Sequence, residues 1–355
     1  MIKVKDVVCK SLYTDMEEIV NSAPLCDQTN RSFLITGGSG FIAYYIVTSL
    51  LLLNDLKNTS NSITIMVRNE NKAIEKYGNL LQRGDLHIMV QDVCNPMPED
   101  GAAFDYIIHA ASGASAQQFD ADPIGVFNSN VIGIENLIDY IRRNPCKSMV
   151  YISSFTVYGA GTNTVAEITE DYRGADDWTS KSACYSFGKK SAELLCTAAT
   201  RKYQCPIRIV RPGFVYGGSD PYDNRVYAEI IRNVAEQRPI CMQSAGLLFR
   251  SMIYVTDVVR GVFAALLSGQ DGEAYNIANE FVSIRGFAEA AVAAAESEKV
   301  VLTFKNEADA DAAIPAAPGG AMSTDKLCGC GWKPEVSLID GIKMASEIYI
   351  SKYLR

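Results

Sequence analysis

Histidine is nearly absent: the 355 residues contain two, His87 and His109. Both fall in apolar, strand-like runs with no nucleophile-elbow motif beside them, which disfavours a histidine-dependent serine hydrolase. The ten cysteines include no C-x-x-C pair. Only Cys328 and Cys330 are close-set, too few ligands for a zinc site, so the thiols read as free groups in a reducing compartment. Positive charge is also scarce: 33 lysines and arginines face 41 acidic residues, for a net charge of −8. That balance argues against a nucleic-acid footprint and against a polybasic membrane patch. The first twenty residues hold no unbroken apolar stretch of signal-peptide type. "FIAYYIVTSLLLL" is too short to span a bilayer and follows a glycine turn, so it reads as a core helix. The expectation is a soluble cytoplasmic protein without metal, nucleic acid or membrane as partner.

What is present is core. At 48% hydrophobic residues the chain can bury a large interior. Short β-branched or aromatic runs at 32–36, 62–67, 86–90, 106–110, 148–153 and 207–210 alternate with helical periodicity at 40–53, 123–143 and 185–202. Continuously apolar strands between helices predict an α/β fold, a doubly wound parallel sheet covered on both faces. Residues 1–30 read as an N-terminal extension with an amphipathic helix around "DMEEIV". Residues 31–215, with 251–278 returning, form the main domain. Residues 216–250 and 279–335 form a smaller substrate-binding region, and 336–355 a C-terminal helix.

"SFLITGGSGFIAYYIV" is a strand, a glycine turn and a helix. Gly37, Gly38, Gly40 and Ala43 fit the spacings G-x-G-x-x-A and G-x-x-G-x-x-A, in which glycine lets backbone approach a pyrophosphate at a helix N-terminus. In this context the turn predicts dinucleotide binding, with Phe41 and Ile42 opening the helix beside it. The second strand ends at Arg68, where an acidic residue would accept the ribose hydroxyls of NAD; an arginine can pair with the 2′-phosphate of NADP or simply be solvated. Asp92, closing the third strand before Val93, can take the adenine amino group or cap its own loop.

"VYISSFTVYG" ends a buried strand in hydroxyls, and Tyr185 precedes Lys189 by one helical turn, on the same face. A neighbouring ammonium is expected to lower the phenol from about 10 toward neutrality, making it a base for an alcohol proton. Ser154 can hydrogen-bond the same oxygen.

These stretches, with "QDV", "IIHAAS", "NVIGIENLI", "RPGFVYG", "RSMIYVTDV", "YNIA" and "GWKPEVSLIDGI" in this order, resemble the extended short-chain dehydrogenase/reductases, specifically the NAD-dependent epimerase/dehydratase family acting on nucleotide sugars. The resemblance runs from about Ser32 to Leu338 and implies a Rossmann domain. It implies Ser154, Tyr185 and Lys189 as the catalytic group, with Lys189 also holding the nicotinamide ribose. It places Ala110, Ala111, Ser112 and Asn130 along the cofactor and Arg250 on the sugar diphosphate; Ser154, Thr156 and Phe214 are expected on the substrate side, with Arg225 as a second cation for the diphosphate. It also implies a homodimer through helices resembling 123–143 and 185–202.

Three departures narrow the reaction. Dehydratases and decarboxylases of the family carry acids where this chain has Phe155 and Thr156, and the "TVYG" ending is closer to a sugar 4-epimerase. Phe214 replaces an asparagine near the diphosphate, and "AAPGG", Ala316 to Gly320, lacks a second arginine. The leading expectation is a nucleotide-sugar C4 epimerase using NAD. The alternative, toward which Arg68 leans, is an NADPH-dependent ketoreductase of a keto sugar or another carbonyl. Dehydration, decarboxylation and a non-catalytic binding role rank lower.

Overall fold

The computed structural model describes residues 2–22, 25–99, 103–218, 222–310, 312 and 319–354. Seven strands build the central sheet: β1 (Ser32–Thr36), β2 (Ser62–Val67), β3 (Leu86–Val90), β4 (Tyr106–His109), β5 (Ser148–Ile152), β6 (Ile207–Pro212) and β7 (Ala274–Ile277). Their spatial order is β7-β6-β5-β4-β1-β2-β3, and every neighbouring pair is parallel. The order reverses between β1 and β4, so the ends of these two strands frame the crevice where open α/β sheets bind ligands.

Burial on both faces explains the unbroken apolar runs. Within β1, Phe33 and Ile35 enter one core while Leu34 enters the other; within β5, Val150 and Ile152 separate from Met149 and Tyr151 in the same way. Each such side chain contributes about 1.5–3 kcal/mol when fully buried. One face of the sheet is covered by α3 (Pro123–Arg143) and α4 (Ala183–Tyr203), which pack on each other.

On the opposite face lies α2 (Phe41–Lys57), in which every residue from Ala43 to Asn54 is buried. A helix that is apolar all round needs cover on its outer side as well. Here α1 (Lys10–Asn21) provides it, and also contacts α5 (Val255–Ser268) and α6 (Leu338–Tyr349). Its buried stripe is Leu12, Asp15, Met16, Ile19 and Val20, at helical spacing but with a carboxylate inside it. Asp15 Oδ2 accepts from Tyr254 Oη at 2.7 Å and Tyr45 Oη at 3.2 Å, and Oδ1 has no partner.

Burial pushes the Asp15 carboxyl up to about 7, reinforced by Glu18 and Glu347 and opposed by the two tyrosine hydrogen bonds. The folded protein therefore holds this proton more tightly than the unfolded chain, so stability is lost as pH rises from about 4 to 7, by about 1.4 kcal/mol per unit of pKa difference at most. Asp15→Asn is expected to remove that slope: urea unfolding at pH 5 and pH 7.5 should show the variant gaining more on the parent protein at the higher pH.

Beyond β6 the chain adds a second sheet from strands Phe281–Ser283, Phe249–Tyr254 and Phe214–Tyr216. Trp332 and the segment after it close this side: the indole donates to the Asp257 carbonyl at 2.9 Å, and the Asp257 carboxylate accepts from the backbone of Glu335 and Val336. No described helix is long and apolar enough to cross a membrane.

Candidate active site

The glycine turn between β1 and α2 is shaped for close approach. Gly37 has φ +65°, and a Cβ there would lie 2.7 Å from the Ala111 Cα; a Cβ on Gly38 would lie 2.6 Å from the Ile65 side chain. Only glycine fits either place. Gly40 caps α2 without any side-chain hydrogen bond, which leaves first-turn N–H groups for an anion at the positive end of a 17-residue helix. Ala110, Ala111 and Ser112 follow β4 directly against this turn, with the Ala111 N–H donating to Thr36 Oγ1 at 3.3 Å. Phe41 and Ile42 are half-buried at the helix start. Tyr77, not foreseen from the sequence, braces the turn by donating to the Gly38 carbonyl at 2.6 Å. These features fit a dinucleotide pyrophosphate.

The adenosine side is more open. Arg68 is largely exposed and 3.8 Å from Asp92. Asp92 caps its loop, accepting the Cys94 N–H at 2.9 Å, while Val93 turns its side chain into the core and gives its carbonyl to Asn136.

Alternation along β5 separates the two serines at its tip. Ser153 points inward to Glu193 Oε1 at 2.5 Å; Ser154 points the other way and accepts the Thr156 N–H at 3.2 Å. Tyr185 and Lys189 come from α4, so strand tip and helix converge. Ser154 lies close enough to the Tyr185 phenol to interact with it, and Lys189 Nζ sits 5.7 Å from the Tyr185 ring centroid. The ammonium donates to the Ile152 carbonyl at 2.6 Å and lies 4.7 Å from the Tyr151 ring centroid. Tyr151 in turn donates to Asn130 Oδ1 at 3.1 Å, and Asn130 anchors itself on the Val126 carbonyl. His109 stacks on Tyr151 and shares a 2.6 Å hydrogen bond with Thr36; burial and the nearby Lys189 push it down to about 3, so it stays neutral.

One expectation is corrected here. Burial pushes the Tyr185 phenol up from its ordinary value, and Ser154 and Arg225 only partly oppose this. Lys189 is itself pushed down to about 7 by burial, with Glu193 working against the shift. Spacing revealed the neighbours of the phenol but not how little water surrounds it.

Glu193, one turn beyond Lys189, was also not foreseen. It pairs with Arg211 of β6 through 2.6 and 3.0 Å contacts, and Arg211 donates to Tyr158 Oη at 3.0 Å; Tyr158 hydrogen-bonds to Asn276 of β7. The network ties α4 to three strand ends. Phe119, from the short helix Ala116–Ala121, stacks on the Tyr185 ring at 5.3 Å. The four-residue step from Lys189 to Glu193 was visible in the sequence; Arg211 and Phe119 had no local signal.

Phe155, the residue after Ser154, lines a cavity of about 350 Å³ with Phe214, Phe249, Arg250 and Phe281; Ser154, Tyr185 and Lys189 are not part of its lining. Phe155 packs on Phe214 at 4.7 Å and the Arg250 guanidinium lies 5.0 Å over Phe214. Arg250 faces no carboxylate among the described residues, and burial alone lowers its pKa. Arg225 differs: it is held bidentately by Asp223 at 2.9–3.0 Å through Nε, so its charge is already matched. Thr156 Oγ1 is buried without a partner. Ala316 to Pro318 of "AAPGG" lie outside the described residues. Among the described residues no group of three or more histidines, cysteines or acids could hold a metal ion.

An open parallel sheet with a glycine turn at its switch point is a dinucleotide-binding architecture, and a serine, tyrosine and lysine stand on the facing strand and helix. The chain belongs to the NAD dependent epimerase/dehydratase family, whose model matches residues 33–278. It is 24% identical over 340 residues to the dTDP-D-glucose 4,6-dehydratase of Bos taurus, covering 91% of this chain and 90% of the relative. It is 26% identical over 323 residues to UDP-glucuronic acid decarboxylase 6 of Arabidopsis thaliana, covering 90% and 89%. Among solved structures it resembles the UDP-glucuronic acid 4-epimerase of Bacillus cereus in complex with UDP-glucuronic acid and NAD: TM-score 0.72 and 20% identity, covering 91% of this chain and all of the other. The dTDP-glucose 4,6-dehydratase of Bacillus anthracis in complex with NAD gives a TM-score of 0.69 at 19% identity, covering 91% and 97%.

Proposed function

We propose that this protein is a nucleotide-sugar C4 epimerase working through a 4-keto sugar. The observation that carries the reading is the convergence of Ser154, Tyr185 and Lys189 beside the glycine turn, with uncharged side chains at 155 and 156. No carboxylate stands at those two positions to strip a C5 proton or expel a C6 hydroxyl, as family dehydration requires. Phe155 instead packs on Phe214, and the unpartnered Thr156 hydroxyl is free for a substrate oxygen.

NAD is the cofactor we assign, on the fit of the glycine turn and the NAD-bound neighbours. Gly37, Gly38 and Gly40 with the α2 N-terminus would hold the pyrophosphate, and Lys189 with Asn130 behind it the nicotinamide ribose. Bound there, NAD supplies a reversible two-electron oxidation. Tyr185 Oη takes the proton of the sugar C4 hydroxyl and later returns it. Ser154 Oγ donates to the same oxygen as charge develops, and the Lys189 ammonium favours the phenolate against the cost of its burial.

Residues 216–250 and 279–335 supply the substrate side: Arg250 meets phosphate, and Phe249 and Phe281 offer faces for a base. We place a homodimer contact on α3 and α4, where Ile124 and Leu194 remain exposed. A second reading, an NADPH-dependent 4-ketoreductase, is favoured by Arg68, which stands exposed at the end of β2 in reach of a 2′-phosphate.

The test is incubation of NAD-loaded protein with UDP-, dTDP-, CDP- and GDP-sugars and no added reductant. An epimer of unchanged mass is expected from one of them. Silence across the panel overturns the epimerase reading, and NADPH consumed one-for-one with product replaces it with the reductase.

A further inference from the structure

The family model begins at residue 33, yet α1 lies against the ligand-bearing elements and places a carboxylate among them. An apolar residue at position 15 would fill the same stripe of α1 without desolvating a charge-bearing group, so the carboxylate is costly unless its hydrogen bonds fix a geometry. Those hydrogen bonds come from two different places. Tyr45 belongs to α2, one turn past Phe41, with the two rings edge-on at 5.6 Å. Phe41 is the first residue after the glycine turn. Tyr254 ends the strand Phe249–Tyr254, four residues past Arg250, and its ring meets Tyr216 of the adjacent strand at 5.5 Å. Gly217 fits so closely that a Cβ there would lie 3.0 Å from Phe41 Cζ.

We propose that the N-terminal helix is a coupling element of the active site: Asp15, by accepting from Tyr45 and Tyr254 at once, is a positioning residue that locks the dinucleotide-binding helix to the substrate-binding strand. The inference rests on the reading of the glycine turn as the cofactor site and of Arg250 as the substrate site. A ligand at either site orders the segment it touches. Because both segments end on one acceptor, ordering the first leaves less freedom for the second to lose, and the two ligands bind with positive cooperativity. By linkage the effect is reciprocal.

Calorimetric titration of the full-length, cofactor-stripped protein tests this, with UDP, dTDP, CDP and GDP as probes, each with and without saturating NAD+. The parent protein should bind its preferred nucleotide at least about fivefold more tightly when NAD+ is present. Tyr45→Phe and Tyr254→Phe each delete one hydroxyl while keeping the packed ring, and Asp15→Asn deletes the charge. In each variant the cooperativity should fall below about twofold, while NAD+ alone and nucleotide alone bind within about twofold of the parent values. Circular dichroism confirms that the three variants fold, and the two phenylalanine variants carry the test should Asp15→Asn not. Undiminished cooperativity in the phenylalanine variants overturns the proposal, as does a parent protein that binds both ligands independently. If no nucleotide binds the parent protein at all, the functional reading fails first and takes the coupling with it.

Discussion

Replacing Tyr185 with phenylalanine is expected to lower kcat by about 10²–10⁴-fold, the usual worth of a positioned acid–base group. Cofactor and nucleotide binding should stay near parental values. The substitution keeps the ring that stacks on Phe119 and removes only the oxygen near Ser154. Burial holds the phenol above its ordinary pKa in the ligand-free protein, so proton abstraction should grow with rising pH as the phenol ionises. Steady-state kinetics across pH 6 to 10 check both points, since that rising limb should vanish from the residual activity of the variant. A variant with kcat within a few-fold of the parent would remove Tyr185 from the chemistry.

Lys189→Met should separate activity from stability. The ammonium is 3% exposed, on a carbonyl and an aromatic face, and burial pushes it down to about 7. In the unfolded chain its pKa is near 10.4. Across that interval the unfolded chain binds more protons than the folded one, so the parent protein gains stability as pH rises from 7 toward 10 and carries the full penalty of the charge below 7. The slope is about 1.4 kcal/mol per unit of pKa difference, which makes a few kcal/mol an upper bound. Methionine retains the length and loses the charge. The variant should be the more stable protein at pH 7, lose that advantage by pH 10, and turn over at least about 10²-fold more slowly because the phenolate has lost its counter-charge. Thermal unfolding at the two pH values, beside initial rates, reads both effects. A variant less stable at pH 7 would mean that the hydrogen bond to Ile152 outweighs the desolvation of the ammonium.

Much of this site is held by the structure beneath it, and that layer is where the sequence was least informative. Strands β1 to β6 stand out as short runs dominated by β-branched, aliphatic or aromatic residues between turn residues, even though β3 is an edge strand with His87 and Val90 exposed and β6 carries Arg208 and Arg211. The seventh, Ala274–Ile277, is four residues long and includes an asparagine and an alanine, both poor strand formers. The strand Phe214–Tyr216 pairs with Phe249–Tyr254 across more than thirty residues, a register that no local pattern encodes. In the site, Ser154, Tyr185 and Lys189 were legible because period two along a strand and one turn along a helix fix which side chains can meet. Arg211 and Phe119 reach the same region through tertiary packing alone, and Asp15 meets Tyr45 and Tyr254 in the same way on the other side of the sheet. The sign of the Tyr185 shift depends on burial, which spacing does not report. Arg225, a free cation on paper, is spoken for by Asp223 two residues away.

The most direct test of the central claim follows the hydrogen at C4. A nucleotide sugar deuterated at that carbon, turned over by the NAD-loaded protein, should give a product that keeps the deuterium on C4 with the configuration there inverted, as seen by nuclear magnetic resonance. Deuterium found at C6 with loss of water, or a product lighter by carbon dioxide, would contradict the account and return the protein to the dehydratase or decarboxylase branch of its family.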